Sequence, residues 1–596
     1  MHLQQTISQR ISEALTAVYN ITVDAGQLAL QPTRKEFKGS FTFVTFPYTK
    51  QAGKGPEQIG QELGDYLKAN APEVNDYNVV KGFLNLVIEE EVWLNLLREI
   101  MQNPDHGQAT PSGHNVLVEY SSPNTNKPLH LGHLRNNFLG YSVAEIMKAN
   151  GHNVTKANLV NDRGIHICKS MLAYQKMGNN ETPQSSGIKG DHLAGKYYVL
   201  FDRAYKEEID ELVAQGMDKE EAKKKAPLIL EAQTMLKKWE EGDTETVDLW
   251  RKMNGWVYEG FDETYRNIGV DFDKFYYESE TYTLGKERVE EGLEKGVFTK
   301  RPDGSVWVDL TEDGLDEKLL LRADGTSVYI TQDLGTAELK YEDFQYNESI
   351  YVVADEQNYH FQVLKAVLKK LGKPYAEGIN HLSYGMVDLP SGKMKSREGT
   401  VVDADELVQE MIDTARQQTE ELGKIEGFTA EQAQQLYYTL AMGALKYFLL
   451  KVDPKKRMLF NPQESIDFRG NTGPFIQYTH ARISAILRKA TEMGIPVEAT
   501  SFGDFKNLHE TEQEVITLLV NYPAVVKEAG KLYAPSIMAS YAYELAKAYN
   551  RFYQEISIFN ETDEQARNFR IALSAMVARF IRQSMGLLGI QVPERM

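Results

Sequence analysis

Apolar and polar positions alternate with different periods along the chain, and the changes of period mark its parts. Over residues 1 to about 110, Ile7, Ile11, Leu15 and Val18 recur at helical spacing, while 37–46 alternates as a half-buried strand does. A helix around 57–69, a strand over 83–88 and an amphipathic helix ending near Met101 complete a separate α+β module. The polar run 102–113 is a linker by composition. An apolar run at 115–118 then feeds a turn carrying Pro123, Pro128 and Gly132, followed by a helical pattern over 134–149 and a second strand over 154–160. This is the start of a doubly wound sheet, whose ligands gather at the carboxyl ends of its strands. Residues 179–270 read as a charge-rich helical insertion, with its charges mostly in solvent and no candidate catalytic group. The sheet resumes through 327–333, a strand over 349–354, a turn over 355–358, a helix over 360–371 and a strand over 381–387. Beyond Glu406 the period is helical, broken at Pro454, Pro474, Pro523 and Pro535, and no internal repeat is present.

The expected fold is therefore multidomain α/β. An N-terminal α+β add-on domain spans 1–110. A Rossmann-like parallel-sheet core spans 111–405, with a helical insertion at about 179–270. A helical connection spans 406–454, and an all-α bundle spans 455–596.

Composition narrows the class. The chain has 596 residues, too many for one ordinary core, and its 42% hydrophobic and 25% charged content is that of a globular protein. No apolar run reaches the ~18 to 20 residues that span a bilayer. The start, Met1-His-Leu-Gln-Gln-Thr, lacks a signal peptide's basic segment and apolar core. A single cysteine, Cys168, excludes a disulfide framework, so a cytoplasmic location is expected. The net charge of −19, from 66 basic against 85 acidic residues, argues against an indiscriminate polyanion binder, and DNA is not an expected partner. A specific RNA partner remains compatible, because only the field along the contact face counts.

The richest stretch is Glu119-Tyr-Ser-Ser-Pro-Asn-Thr-Asn-Lys-Pro-Leu-His-Leu-Gly-His133. A strand feeding a turn and then a helix aims backbone N–H groups at a bound anion. A helical start places His130 and His133 on one side, and Gly132 lets a phosphate or flat ring approach the backbone. The competing readings are a zinc site and two surface histidines in a loop. Zinc needs further ligands, which one cysteine and no His-x-x-x-His partner do not supply, so no metal is assigned. Asn161 and Asp162 stand at the next strand end as pocket-rim residues or helix caps. Lys35, Lys38, Lys50, Lys54 and Lys81 lie near Phe37, Phe41, Phe46 and Phe83, either as an RNA-contacting face or as a core with a solvated rim.

The 119–133 string resembles the HIGH signature of class I aminoacyl-tRNA synthetases, with their HUP-type core, and from Val118 onward it resembles the arginyl-tRNA synthetase form. The resemblance implies an arginine–tRNA ligase that attaches L-arginine to tRNA(Arg) through an adenylate, with ATP as substrate. Mg2+ is expected with the ATP, no protein ligand for it is identified, and no zinc is expected. Activation is attack by a carboxylate on the α-phosphate, which demands positioned donors and no protein nucleophile. The implied catalytic residues are His130, His133, Lys127, Lys393 and Lys395. Pro128, Gly132, Met386, Met394 and Ser396 join His130, His133, Lys393 and Lys395 around ATP. The loop Lys393-Met-Lys-Ser-Arg397 resembles KMSKS but has Ser396 where the second lysine is expected, and Lys127 matches the upstream lysine that compensates in such enzymes. Gly392 and Gly399 suit a loop that closes over phosphates.

For arginine, the resemblance implies that Tyr329 and Asp333 at a strand end grip the guanidinium, with Glu119 and Asn124 at the α-amino end, Ser121 among the arginine contacts and Gln357 lining the pocket. A planar fork of five donors asks for such acceptors. For tRNA, Gly82-Phe-Leu-Asn85 resembles the signature of the add-on domain that leans on the tRNA elbow, implicating Phe37 and Asn85. The strings 443–448 and 468–482 resemble DALR anticodon-binding helices, implicating Lys455, Lys456, Arg457, Tyr549 and Tyr553. The resemblance also implies a monomer that activates arginine only with tRNA bound. Three other readings compete. A cysteine-type synthetase lacks its metal-ligand cysteines here, a small nucleotidyltransferase has no use for the helical domain, and a non-catalytic RNA-binding paralogue would not need His130, His133, Lys127 and Asp333 intact.

Overall fold

The computed structural model describes residues 3–34, 36–388, 402–423, 425–498, 501–503 and 505–596. The chain divides into two compact units, one of Met1–His106, Ile486–Asn521 and Ala548–Val577, the other of Gly107–Ala485, Tyr522–Lys547 and Ala578–Met596. Among the described residues no helix is long and apolar enough to cross a membrane.

In the first unit, helices α1 (Leu3–Tyr19), α2 (Pro56–Asn70) and α3 (Glu90–Gln102) accompany an antiparallel sheet of β1 (Leu30–Pro32), β2 (Phe41–Val44), β3 (Val74–Val80) and β4 (Phe83–Ile88), in the order β1-β2-β4-β3. The helical spacing read for α1 is its buried face: Ile7, Ile11 and Leu15 are fully covered, as are Leu84 and Leu86 of β4. The N-terminal segment does not stand alone in this unit, since Glu90 accepts the Leu508 N–H and Gln513 donates to Ser40 at 2.9 Å.

Two expected tRNA contacts are corrected here. Asn85 is 1% exposed, accepting from Thr42 at 2.6 Å and donating to Asn78 at 2.8 Å across the sheet. Tyr549 is wholly buried and donates to Ser574 at 2.9 Å. Both side chains are structural, because alternation and helical period define a buried face without saying which polar member of that face finds an internal partner. Tyr553, one turn on, is exposed, and Phe37 is half-buried.

The second unit holds five parallel strands, β5 (Asn115–Glu119), β6 (Asn153–Val160), β7 (Lys274–Tyr277), β8 (Glu348–Ala354) and β9 (Ile379–Tyr384), ordered β9-β8-β5-β6-β7. Progress from β5 runs one way through β6 and β7, whereas β8 and β9 lie on its other side. The switch point therefore falls between β5 and β8, where the carboxyl ends open a crevice. Helix α4 (Leu131–Ala149) follows β5 and buries Leu134, Phe138, Leu139 and Val143.

The helical insertion lies between β6 and β7. It includes α5 (Gly190–Ala214) and α6 (Thr244–Ile268) and has its own core of Met171, Leu193, Tyr197, Phe201, Ala232 and Met253. A three-stranded antiparallel sheet, Thr299–Lys300, Val306–Val308 and Lys318–Leu321, escapes sequence reading because its strands are too short to display a period. Residues 329–333, expected at a strand end, instead open helix α7 (Tyr329–Phe344), whose Ile330, Leu334 and Ala337 form a buried face at helical spacing. Helix α8 (Asn358–Lys370) follows β8, and α9 (Ala404–Glu421) and α10 (Ala430–Leu450) lead into the helical C-terminal part.

Inside this unit Glu119 at the end of β5 pairs with Lys340 of α7, both nearly inaccessible, with Lys340 lying over the Tyr351 ring at 4.7 Å. Removing one member of a buried pair strands the other charge. Lys340→Met is expected to lower stability by about 3 kcal/mol in urea unfolding, and a Lys340→Met, Glu119→Gln double variant to regain most of it. A single variant as stable as the parent would exclude the pair as a structural determinant.

Candidate active site

Two successive residues after β5, Ser121 (φ 76°) and Ser122 (φ 46°), adopt the left-handed conformation that L-residues avoid. Side chains from elsewhere hold them there. The Ser121 N–H donates to Asn136 Oδ1 at 2.6 Å and the Ser122 N–H to Asn158 Oδ1 at 3.1 Å, while Ser121 Oγ meets the Tyr265 hydroxyl at 2.7 Å. Asn136 Nδ2 in turn donates to the Val352 carbonyl of β8 at 2.7 Å. The turn continues past exposed Asn124, stitched to the end of β6 by Thr125 N–H to Asn161 O at 3.1 Å and Asn161 N–H to Pro123 O at 2.9 Å. Asp162, weighed as a rim residue or cap, is buried and accepts from Ser279 and Tyr258 at 2.7 to 2.8 Å.

The turn ends in the paired histidines. His130 caps α4: its Nδ1 accepts the Gly132 N–H at 3.1 Å, and its own N–H donates to His133 Nδ1 at 3.2 Å. The ring centroids are 3.9 Å apart. A Cβ at position 132 would lie 2.9 Å from His130 Cε1, which is why glycine stands there. With both Nδ1 atoms accepting, each neutral ring carries its proton on Nε2, as assigned from these bonds. Burial, and then Lys127, brings His130 down to about 4. Burial holds His133 well below the usual range, helped by His130 and Lys127. The site thus presents two neutral Nε2–H donors beside the positive end of a 19-residue helix, an arrangement that accepts phosphate oxygens.

Arg135, one residue beyond Leu134, was not singled out by sequence reading. It is fully buried and donates to the carbonyls of Gly385 at 2.7 Å, Lys456 at 2.9 Å and Pro454 at 3.1 Å. The signal was a charge in the apolar face defined by Leu131, Leu134, Phe138 and Leu139. Val387–Asp388 pairs with Met458–Leu459, and Leu131 N–H bonds Val402 O while Ala404 N–H bonds Leu129 O, each at 3.0 Å. Lys393, Met394, Lys395 and Ser396 lie outside the described residues; Met386 is exposed. The segment resuming at Val402 is thus bonded to the histidine turn itself. Lys127 and Pro128 are half-buried on that turn.

The arginine candidates divide into two sets. Glu119 ends β5 and Ser121 and Asn124 follow it, with Glu119 already paired to Lys340. On α7, Tyr329 is 78% exposed, and Asp333 meets His360 Nε2 of α8 at 2.5 Å. Exposed Gln357 sits at the start of α8, just past β8. The sets converge on Tyr351: burial pushes its phenol up, and the charges of Glu119 and Asp333 push it further. Glu278, directly after β7, was missed. Burial raises it to about 7 against the pull of Arg163, with Asp162 and Asp333 adding to the rise. Its position at a strand end was the available clue. Lys455, Lys456 and Arg457 are exposed, with Arg457 3.1 Å from Asp388.

Comparison with known proteins extends over the whole chain. Residues 96–461 match the family described as tRNA synthetases class I (R), catalytic domain; residues 476–596 match the DALR anticodon binding domain, and 2–88 the arginyl tRNA synthetase N terminal domain. The arginine–tRNA ligases of Amoebophilus asiaticus and Bacteroides thetaiotaomicron are each 57% identical to it over 100% of both chains. Among solved structures, the Thermus thermophilus arginyl-tRNA synthetase matches with a TM-score of 0.79 at 25% identity over 100% of both chains. The Plasmodium falciparum arginyl-tRNA synthetase, at 20% identity and a TM-score of 0.77 over 100% of this chain and 99% of that one, shares the fold.

The imidazole bonds predict a pH signature. An unfolded histidine titrates near 6.5, so below that pH the unfolded chain takes up a proton that His130 refuses until about 4, and stability falls across this window. Urea midpoints at pH 7 and pH 5 are expected to differ less for His130→Asn, which keeps a capping side chain, than for the parent. Equal differences would mean that His130 does not titrate low.

Proposed function

The chain belongs to the arginyl-tRNA synthetase family, and from that premise we propose which of its residues carry each step. It is an arginine–tRNA ligase: L-arginine and ATP give arginyl adenylate and pyrophosphate, and arginine then passes to the 3′ end of tRNA(Arg), releasing AMP.

The arginine carboxylate attacks the α-phosphorus and pyrophosphate leaves. The observation that carries the assignment is the pair of neutral imidazoles at the N-terminus of α4, beside the switch point between β5 and β8. Their Nε2–H groups and the helix terminus donate to phosphate oxygens, and Lys127 adds the cation. Neutral donors aimed in advance need no reorganisation as charge moves toward the leaving group. Pro128, Gly132 and Met386 border the nucleotide, while Lys393, Met394, Lys395 and Ser396 belong to its other side. Asp333 and Tyr329 hold the guanidinium, with Glu278 close enough to Asp333 to feel its charge and Gln357 on the rim. Ser121 and Asn124 receive the α-amino end, where Glu119 acts through its pair with Lys340.

Magnesium accompanies ATP chemistry, but the described residues offer it no fitting cluster. Asp191, His192 and Asp405 are grouped tightly enough, yet the Lys189 ammonium stands 2.5 Å from Asp405 and 3.3 Å from Asp191. No step is therefore routed through a protein-held metal. Phe37, Lys455, Lys456, Arg457 and Tyr553 supply the tRNA-facing set, and the enzyme works as a cytoplasmic monomer that needs tRNA for activation.

Aminoacylation of total tRNA with each amino acid separately is expected to succeed with arginine alone; charging with another amino acid would overturn the assignment. Asp333→Ala is expected to raise the KM for arginine far more than that for ATP, and equal, modest effects would remove Asp333 from the pocket. Glu278 is neutral below about 7 and charged above it. The kcat/KM for arginine is therefore expected to fall below that pH in the parent and to lose this inflection in Glu278→Gln. An unchanged profile would place Glu278 outside the site.

A further inference from the structure

The helical insertion, charge-rich and without a candidate catalytic group in sequence, begins α5 with three charged or titratable side chains that face inward. Lys189 Nζ donates to Asp405 Oδ2 and to Thr264 Oγ1, each at 2.5 Å, and reaches Asp191 at 3.3 Å. Asp191 and Thr264 are fully buried. His192 Nε2 adds a contact to Asp405 at 3.1 Å and lies 3.5 Å from Asp403. An ammonium between the two carboxylates of Asp191 and Asp405 does here what a metal ion would do elsewhere.

The partners show what the cluster is for. Asp403 and Asp405 open α9, with the Asp403 carboxylate accepting the N–H groups of Asp405 and Glu406 at 2.9 and 3.0 Å. The backbone on either side of Asp403 is bonded to the turn, Val402 O to the Leu131 N–H and the Ala404 N–H to Leu129 O, with Asp403 bridging His130. Further along α5, a Cβ on Gly195 would lie 2.9 Å from Pro128 Cδ, so this helix also rests directly on the turn that carries Lys127. One helix of the insertion therefore touches the histidine turn twice, once by packing and once through Lys189, Asp405 and the 402–404 backbone.

We propose that Lys189 and Asp405 are positioning residues for adenylate formation: their ion pair anchors 402–404 to the insertion and thereby fixes where His130 and His133 aim their Nε2–H groups. Neither side chain touches substrate. The inference rests on the reading above that these imidazoles face the ATP phosphates. Shifts of about 1 Å in such donors cost up to roughly a hundredfold in rate, whereas the guanidinium pocket on α7 and α8 does not share these contacts.

ATP–pyrophosphate exchange in the presence of tRNA tests this on the full chain, comparing the parent with Lys189→Met, Asp405→Asn, the double variant and His130→Asn, each checked for folding by its melting temperature. The expected result is a kcat lower by at least about tenfold in both single variants, an arginine KM within about twofold of the parent, and a double variant no worse than the weaker single by more than about twofold. If His130→Asn loses exchange while folded Lys189→Met and Asp405→Asn keep kcat within about twofold, the positioning role is wrong and the phosphate-site reading survives. If His130→Asn is itself unimpaired, that reading falls and takes this inference with it. A rise in arginine KM matching the fall in kcat would mean general loosening and also overturns the proposal. Should Lys189→Met fail to fold, the near-isosteric Asp405→Asn decides by the same criteria.

Discussion

The guanidinium of Arg135, buried in the core-facing side of α4, donates to the Gly385, Pro454 and Lys456 carbonyls, with longer contacts to Met386 and Asp453 at 3.4 Å. These carbonyls belong to chain just after β9 and just before Met458, where the Gly385 N–H also reaches Pro454 O at 2.9 Å, the Lys456 N–H Asp453 O at 3.0 Å and the Met458 N–H Met386 O at 3.1 Å. Buried carbonyls without partners are costly, and only arginine offers five N–H groups in a rigid fork to satisfy so many at once. Burial lowers its pKa to about 10, so it stays charged at neutral pH. The result is that the helix bearing His130 and His133 is fastened to the chain at 385–386 and to the 453–456 segment.

A second constraint is the economy of charge inside the core. The groups gathered at the start of α4 are neutral imidazoles and backbone N–H, with Lys127 half-buried on the same turn. Some charges that enter the interior are paired, Glu119 with Lys340 and Lys189 with Asp405; Asp333 meets His360, and Arg135 and Lys446 are held by carbonyls. Such pairs contribute little net stability, but each joins elements far apart in sequence and penalises any register that would separate them. The Asp333–His360 contact is more exposed than the Glu119–Lys340 pair.

The chain's overall charge of −19 says nothing of this, because a total carries no information about which charges are buried together. Surface pairs such as Lys225 with Glu221 and Lys206 with Asp202 account for much of the insertion's charge and behave as its sequence suggested. Lys189 and Asp191 carry the same charges in the same stretch and are the exception. Charge in sequence marks a residue as costly to bury; it does not mark which ones find a buried partner.

The sequence by itself determined the local chemistry: an apolar strand, a turn with two histidines around a glycine, and the helix that follows, since these depend on side-chain period and on backbone needs within about a dozen residues. It also determined the order of the modules and the family. What only the tertiary structure decided were the pairings across long stretches of chain. Asn136 found Val352, Arg135 found Lys456, and Lys189 found Asp405. Asn85 and Tyr549 turned inward, and the 329–333 string became a helix start because Ile330, Leu334 and Ala337 had a core to meet. The physical reason is that burial and hydrogen-bond satisfaction are properties of a site in space. A residue's type sets what it must be paired with, and the fold alone sets what stands within reach.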